Sequence, residues 1–253
     1  MNTSTVGSLV VHQLPDRPAA GAAAAESVAD WIREACAERG EARVIFACAP
    51  SQNEFLTALV HHEIDWAKVA VFHMDEYVGL RADHPQSFRN HLRAHLLDHI
   101  ALPKAVHLIR AEQDPVHECT RYAALLAEKP FDLVCLGIGE NGHLAFNDPP
   151  VADFRDPATI KIVELDEVCR QQQVNDGCFP ALSAVPKHAL TLTIPTLFGA
   201  RRLSCVVPGE RKAAAVRDTL HAPLSTACPA TILRTHPRAN LYIDTASASL
   251  LPA

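Results

Sequence analysis

The sequence predicts an α/β fold in which a mostly parallel sheet is covered by helices on both faces, and three observations carry that prediction. Short apolar runs recur along the chain, and several end in a polar or glycine-containing stretch. Segments with helix start and stop signals stand between them. No composition shift or low-complexity run breaks the alternation, so residues 1–253 are expected to form a single domain with a well-buried core.

Taken in order, Ser8 to His12 reads as the first strand. Asp16 can cap a helix with Pro18 in its first turn, and the alanine-rich run through Trp31 and Cys36 continues until Gly40 stops it. Ala42 to Ala47 is the next strand. In the ACAPSQNEF stretch that follows, Pro50 and Ser51 start a helix through Phe55, Leu56 and Leu59; such a strand-to-helix turn points free backbone amides at any bound anion. Val69 and Val71 alternate as a strand and lead, through Phe72, into the adjacent acids Asp75 and Glu76. After a loop, Gln86 to His99 is expected as a helix, His107 to Ile109 as a short strand, and Val116 to Ala127 as another helix. Periodicity alone cannot assign the apolar run Leu133 to Leu136, but Gly137, Gly139 and Gly142 behind it argue for a buried strand ending in a tight loop. Ala189 to Thr193 and Arg202 to Val207 read as strands, Arg211 to Leu220 as a helix, and Ala239 to Asp244 as the final strand.

Composition excludes several function classes. The formal net charge is -6, from 23 basic against 29 acidic residues, which lacks the basic excess of a nucleic-acid binder. Hydrophobic residues reach 48%, yet no apolar run approaches the ~20 residues of a membrane span. The N-terminus has no basic region followed by an apolar core and a small-residue cleavage site, so a cytoplasmic location is expected. The eight cysteines form no CxxC pair, and the 14 histidines show no HExxH spacing, so no metal is expected. Cys135 and Cys205, inside apolar runs, read as reduced core residues.

Chemistry-bearing residues gather behind two strands. The stretch FDLVCLGIGENGHLAFNDPP places His143, Asn147 and Asp148 in a loop after Leu133 to Leu136, while VAVFHMDEYVGL places Asp75 and Glu76 after the strand from Val69. In parallel sheets ligands bind at the carboxyl ends of strands. A carboxylate pair at one strand end and a Gly-His loop with an acid five residues on at another are what acid/base chemistry on a small polar substrate needs.

HMDEYVGL together with LGIGENGHLAFNDPP resembles the glucosamine-6-phosphate deaminases, also called isomerases. HPQSFRNHL, VPKHALTLTIPTL, PGERK and HPRANLYID fall in the family's order, so the resemblance spans nearly the whole chain. It implies a Rossmann-like sheet and the conversion of glucosamine 6-phosphate and water to fructose 6-phosphate and ammonia, with no metal or other cofactor. The match assigns sugar ring opening to His143 supported by Asp148, with Asn141 orienting the imidazole, and assigns proton transfer between C2 and C1 to Asp75. Ser51, Gln52, Glu76, Gly139, Lys212 and Arg170 are the expected substrate-binding residues, with Lys212 in PGERK matching the family's Gly-x-x-Lys and expected to meet the phosphate. The implied partner is a small sugar phosphate, and the resemblance leaves both a single chain and a homo-oligomer open.

Three departures stand out. Asp148 is one methylene shorter than the family's usual glutamate. Asn141 occupies a position where other members have either aspartate or asparagine. The phosphate loop, typically Thr-Gly-Ser/Thr-x-Pro, reads Cys48 to Gln52 here, with one hydroxyl and no glycine. Two alternatives are carried: a 6-phosphogluconolactonase, against which AFNDP argues, and a sugar-phosphate sensor without turnover.

Overall fold

The computed structural model describes residues 2–252. Its first two strands, β1 (Asn2–Val6) and β2 (Leu9–Leu14), pair antiparallel. The sequence does not announce β1, because NTSTV has no apolar alternation and four of its five residues are exposed. Helix α1 (Arg17–Arg39) starts where its signals sit: the Asp16 side chain accepts from the Ala19 amide at 2.8 Å. It ends at Gly40, whose φ of 78° closes the helix while its amide donates to the Cys36 carbonyl.

β3 (Ala42–Phe46) leads through a 3-10 turn at Pro50–Gln52 into α2 (Asn53–Leu59). β4 (Val69–His73) is followed almost at once by a three-residue strand, β5 (Asp75–Tyr77). α3 (Phe88–His95) is shorter than expected, because the backbone leaves the helical region at Leu96 and only a 3-10 turn, Leu97–His99, continues. β6 (Ala105–His107) lies two residues earlier than His107 to Ile109, and α4 (Pro115–Ala127) follows, capped by Asp114. β7 (Leu133–Leu136) has the predicted limits. β8 (Ile160–Glu164) and α5 (Glu167–Asn175) had no counterpart in the sequence reading. β9 (His188–Leu192), α6 (Ile194–Phe198) and β10 (Arg202–Val207) come next. Then come α7 (Ala213–His221), preceded by a 3-10 turn over Glu210–Lys212, and β11 (Ala239–Asp244).

The main sheet runs β1-β2-β11-β10-β7-β3-β4-β6, and every pairing in it is parallel except β1 with β2. The expected mostly parallel sheet is therefore present. Alternate residues of its strands feed two apolar layers: Val134, Leu136, Ile45 and Phe72 on one face, and Leu133, Cys135, Val44 and Val71 on the other. Residues of α1, α2 and α3 close the second layer, while α4, α6 and α7 close the first. A strand buried on both faces reads as a continuous apolar run, which is why β7 gave no periodicity.

The segment expected as strand Ala189 to Thr193 is corrected in place. It is β9, and it belongs to a second, antiparallel sheet ordered β5-β9-β8. An apolar run signals extension but not which partner satisfies its amides. All eight cysteines are free, with Cys135 and Cys205 in the core. Among the described residues no helix is long and apolar enough to cross a membrane.

Candidate active site

Chain order reverses between β3 and β7: β4 and β6 extend the sheet on one side of β3, and β7, β10 and β11 extend it on the other. A crevice opens at such a switch point beyond the carboxyl ends of the strands. Here it is a pocket of about 590 Å³ including its open mouth. Cys48, Ser51 and Gln52 after β3, Met74 and Asp75 after β4, Gly137, Gly139 and His143 after β7, and Lys212 after β10 line it.

The loop after β7 builds the imidazole. Gly139 accepts no side chain because a Cβ there would stand 2.1 to 2.3 Å from the His143 ring. Its amide donates to the His143 carbonyl at 3.0 Å, closing the loop over the ring. His143 Nδ1 lies 2.8 Å from both Asn141 Oδ1 and Asp148 Oδ1, and Asn141 Nδ2 donates to the same Asp148 oxygen at 2.8 Å. Nδ1 faces two acceptors, so it carries the ring proton, and Nε2 is left with its lone pair. The missing methylene of Asp148 is thus made up by backbone position. Burial pushes the Asp148 carboxyl up, but hydrogen bonds and charge from His143, then Asn141 and the Cys169 thiol, outweigh it and hold the group below its ordinary value.

Asp75 stands in the same pocket and is 8% exposed. Burial first, then the negative charges of Glu76 and Asp148, push its pKa well above the ordinary aspartate value. The short strand β5 fixes it against Thr191 of β9, so the second sheet positions this acid.

At the other end lie Ser51, Gln52 and Lys212. The Gln52 amide donates to Ser51 Oγ at 3.2 Å and to the Val206 carbonyl at 3.1 Å, leaving its Oε1 buried without a partner. Lys212 is 8% exposed, and burial lowers its pKa against the opposing pull of Asp176 and Glu140. Among the described residues its ammonium enters no ion pair; Arg211 beside it takes Asp176 at 2.9 Å.

Two predicted binding residues are not brought to the pocket. Glu76 is fully buried, and its carboxylate accepts from the amides of Tyr77, Phe88 and Arg89, each at 3.0 Å. It ties β5 to the start of α3. Arg170 donates to the Leu182 and Val185 carbonyls at 2.6 and 3.2 Å, pinning the chain that leaves α5. A charged residue beside a motif need not face the ligand when nearby backbone groups need a partner.

Helix α5 supplies what the sequence reading missed. Asp166 caps it by accepting from the Cys169 amide at 2.6 Å, and the helix brings Gln172 and Gln173 to the pocket, with Asp176 just beyond its end. Gln172 Oε1 accepts from the Glu140 amide at 2.9 Å, fastening α5 to the histidine loop. The aspartate cap with Glu167 in the first turn was the available signal. The helix also sets Cys169 against the histidine: one ligand-capable atom each of His143, Asp148 and Cys169 lies within 4.8 Å of the others.

Residues 15–242 match the family described as glucosamine-6-phosphate isomerases/6-phosphogluconolactonase. A glucosamine-6-phosphate deaminase of Exiguobacterium sibiricum is 38% identical over 188 residues, which cover 74% of this chain and 73% of that protein. One of Listeria innocua is 34% identical over 213 residues, covering 84% and 89%. Among solved structures, a monomeric glucosamine-6-phosphate deaminase superposes with a TM-score of 0.87 at 29% identity, covering 95% of this chain and 99% of that one. A 6-phosphogluconolactonase of Thermotoga maritima, at 18% identity and a TM-score of 0.77 over 94% of this chain and all of that one, shares the fold. The model match, the relatives and the crevice at the strand ends agree: the chain belongs to the glucosamine-6-phosphate isomerase/6-phosphogluconolactonase family.

Proposed function

We propose that this chain is a glucosamine-6-phosphate deaminase, converting glucosamine 6-phosphate and water to fructose 6-phosphate and ammonia. The observation that carries the reading is the arrangement of one pocket: a buried carboxylate with a raised pKa, an imidazole fixed in one tautomer, and a lysine outside any ion pair.

The closed sugar opens when a proton moves between its anomeric and ring oxygens. His143 Nε2, with its lone pair toward the pocket, takes and returns that proton, while Asp148 and Asn141 hold Nδ1 and stabilise the imidazolium. Asp75 removes the C2 proton and delivers it to C1. Burial first, and then its neighbours' negative charges, make it a stronger base than an ordinary aspartate, suited to a carbon acid. The C1 carbonyl of the open sugar takes the electron pair as the C2 proton leaves; the substrate nitrogen then donates its lone pair as C1 is protonated, and water attacks C2 of the resulting iminium before ammonia leaves. Lys212 and the hydroxyl and backbone amide of Ser51 hold the phosphate, with charge and hydrogen bonds replacing the glycine that this loop lacks.

Ammonia release from a panel of glucosamine, galactosamine and mannosamine 6-phosphates, with strong chelator present, tests the reading. The expected result is release from glucosamine 6-phosphate with equal formation of fructose 6-phosphate. Ring opening of 6-phosphogluconolactone without any ammonia release would select the lactonase alternative; binding without turnover of either would select the sensor.

A further inference from the structure

We propose that the back of the imidazole is a capture site for a soft divalent cation, zinc or cadmium, formed by His143 Nδ1, an Asp148 carboxylate oxygen and Cys169 Sγ, and that occupancy shuts the pocket's acid/base chemistry off. One ligand-capable atom of each of His143, Asp148 and Cys169 lies within 4.8 Å of the others, on two elements joined only by folding, and His143 Nδ1 stands 2.8 Å from Asp148 Oδ1. His143 is 9% exposed and the other two 1% each. The donor set of imidazole, carboxylate and thiolate suits these ions rather than magnesium or calcium, which take oxygen.

A second observation points the same way. Asp148 Oδ2 is buried and, among the described residues, accepts no hydrogen bond of ordinary geometry, the Cys169 thiol being the weak donor beside the carboxylate, whereas Oδ1 already serves His143 and Asn141. A carboxylate oxygen left bare in a dry site is a position a cation would satisfy. Metal–ligand bonds of about 2.0 to 2.3 Å set tetrahedral donor atoms roughly 3.5 Å apart, so modest side-chain movement closes the site. The Asn141 carbonyl oxygen, 2.8 Å from Nδ1, or a water completes it.

The proton balance explains the inhibition. Capture forms bonds from the metal to sulfur, to Nδ1 and to a carboxylate oxygen. The thiol proton leaves to solvent, and the Nδ1 proton is replaced by one on Nε2, so one proton is released in total. No electron is transferred. The tautomer is then reversed: Nε2 becomes a donor with no lone pair for the pocket, and Asp148 can no longer stabilise an imidazolium. The site therefore inhibits the reaction and does not assist it.

The test is a cadmium titration of the purified chain in non-chelating buffer, following the ultraviolet thiolate-to-cadmium charge-transfer band and proton release together. One band and one proton per chain are expected at one equivalent. Cys169→Ala should abolish the band, Asp148→Asn should weaken cadmium binding about 10- to 100-fold, and Cys36→Ser, away from the pocket, should leave the band intact. Zinc inhibition of ammonia release should be reversed by chelator, and its midpoint should rise at least about tenfold in Cys169→Ala relative to that variant's own uninhibited rate. A band that survives in Cys169→Ala, or no band in the wild-type chain, overturns the proposal. Because the spectroscopic arm needs no turnover, a chain that releases no ammonia fails the deaminase reading while the cation site is still decided.

Discussion

The two ends of the pocket are built in opposite ways. At the chemical end, His143, Asn141 and Asp148 are interlocked through His143 Nδ1, both polar atoms of the Asn141 amide and Asp148 Oδ1, and Asp75 is wedged between a strand pair and two other acids. At the anion end, among the described residues, Lys212 is outside any ion pair and Gln52 Oε1 is bare. The difference separates two physical tasks. Groups that move protons need a fixed position and a tuned pKa before substrate arrives, so their partners are in the protein. Groups that bind a phosphate gain most when the ligand itself supplies the missing partner, so they are left open and desolvated.

The contrast yields predictions that differ in kind and size. The largest concerns the interlocked end: Asp75→Asn should keep the fold but lose about 10²- to 10⁴-fold in kcat, with no solvent deuterium entering the transferred carbon. Exchange at the wild-type rate would remove Asp75 from the role of base.

Next comes the open end. Lys212→Ala should cost about 1.5 to 3 kcal/mol of binding, or roughly 10- to 150-fold in KM for the phosphorylated sugar. Any slow turnover of unphosphorylated glucosamine should stay nearly constant. Equal losses with both sugars would erase the distinction between the two ends.

A smaller effect probes the support beneath the interlocked end. Glu76→Gln replaces one acceptor oxygen with a donor amide facing either the Tyr77 and Phe88 amides or the Arg89 amide, and should lower unfolding free energy by about 1 to 3 kcal/mol. Denaturant melts at fixed pH measure this. Stability unchanged from wild type would mean that α3 does not depend on that carboxylate.

The smallest expected effect is a displacement of pH limbs. Asp75 must be ionised to act, and its pKa is raised, so kcat/KM should fall with decreasing pH at a point above the ordinary aspartate value of 3.8. Lys212 must be protonated, and its pKa is lowered, so KM should rise with increasing pH below the ordinary lysine value of 10.5. The acid limb should vanish in Asp75→Asn and the alkaline one in Lys212→Ala, which assigns one limb to each end.

The histidine loop and Asp75 were legible in the sequence because they sit directly behind strands. An apolar run that ends in glycines marks both a strand and its carboxyl-end loop, and the loop's residues have little freedom to be elsewhere. Arg170, Glu76 and α5 were not legible. Arg170 and Glu76 look like ligand-binding charges in the sequence, but each is consumed by backbone groups brought near by folding.

By itself the sequence determined the local elements: the caps at Asp16 and Gly40, the buried strand Leu133–Leu136, the alternation that requires a parallel sheet, and the placement of His143 and Asp75 after strands. These follow from near neighbours along the chain, through helix capping, side-chain periodicity and turn geometry. Only the tertiary structure decided that β9 pairs with β5 and β8 outside the main sheet, that α5 delivers Gln172, Gln173 and Cys169 to the site, and that Asp148 reaches His143 despite its shorter side chain. Those outcomes depend on which distant backbone amide or carboxylate finds a partner, and pairing across so many residues leaves no period in the sequence.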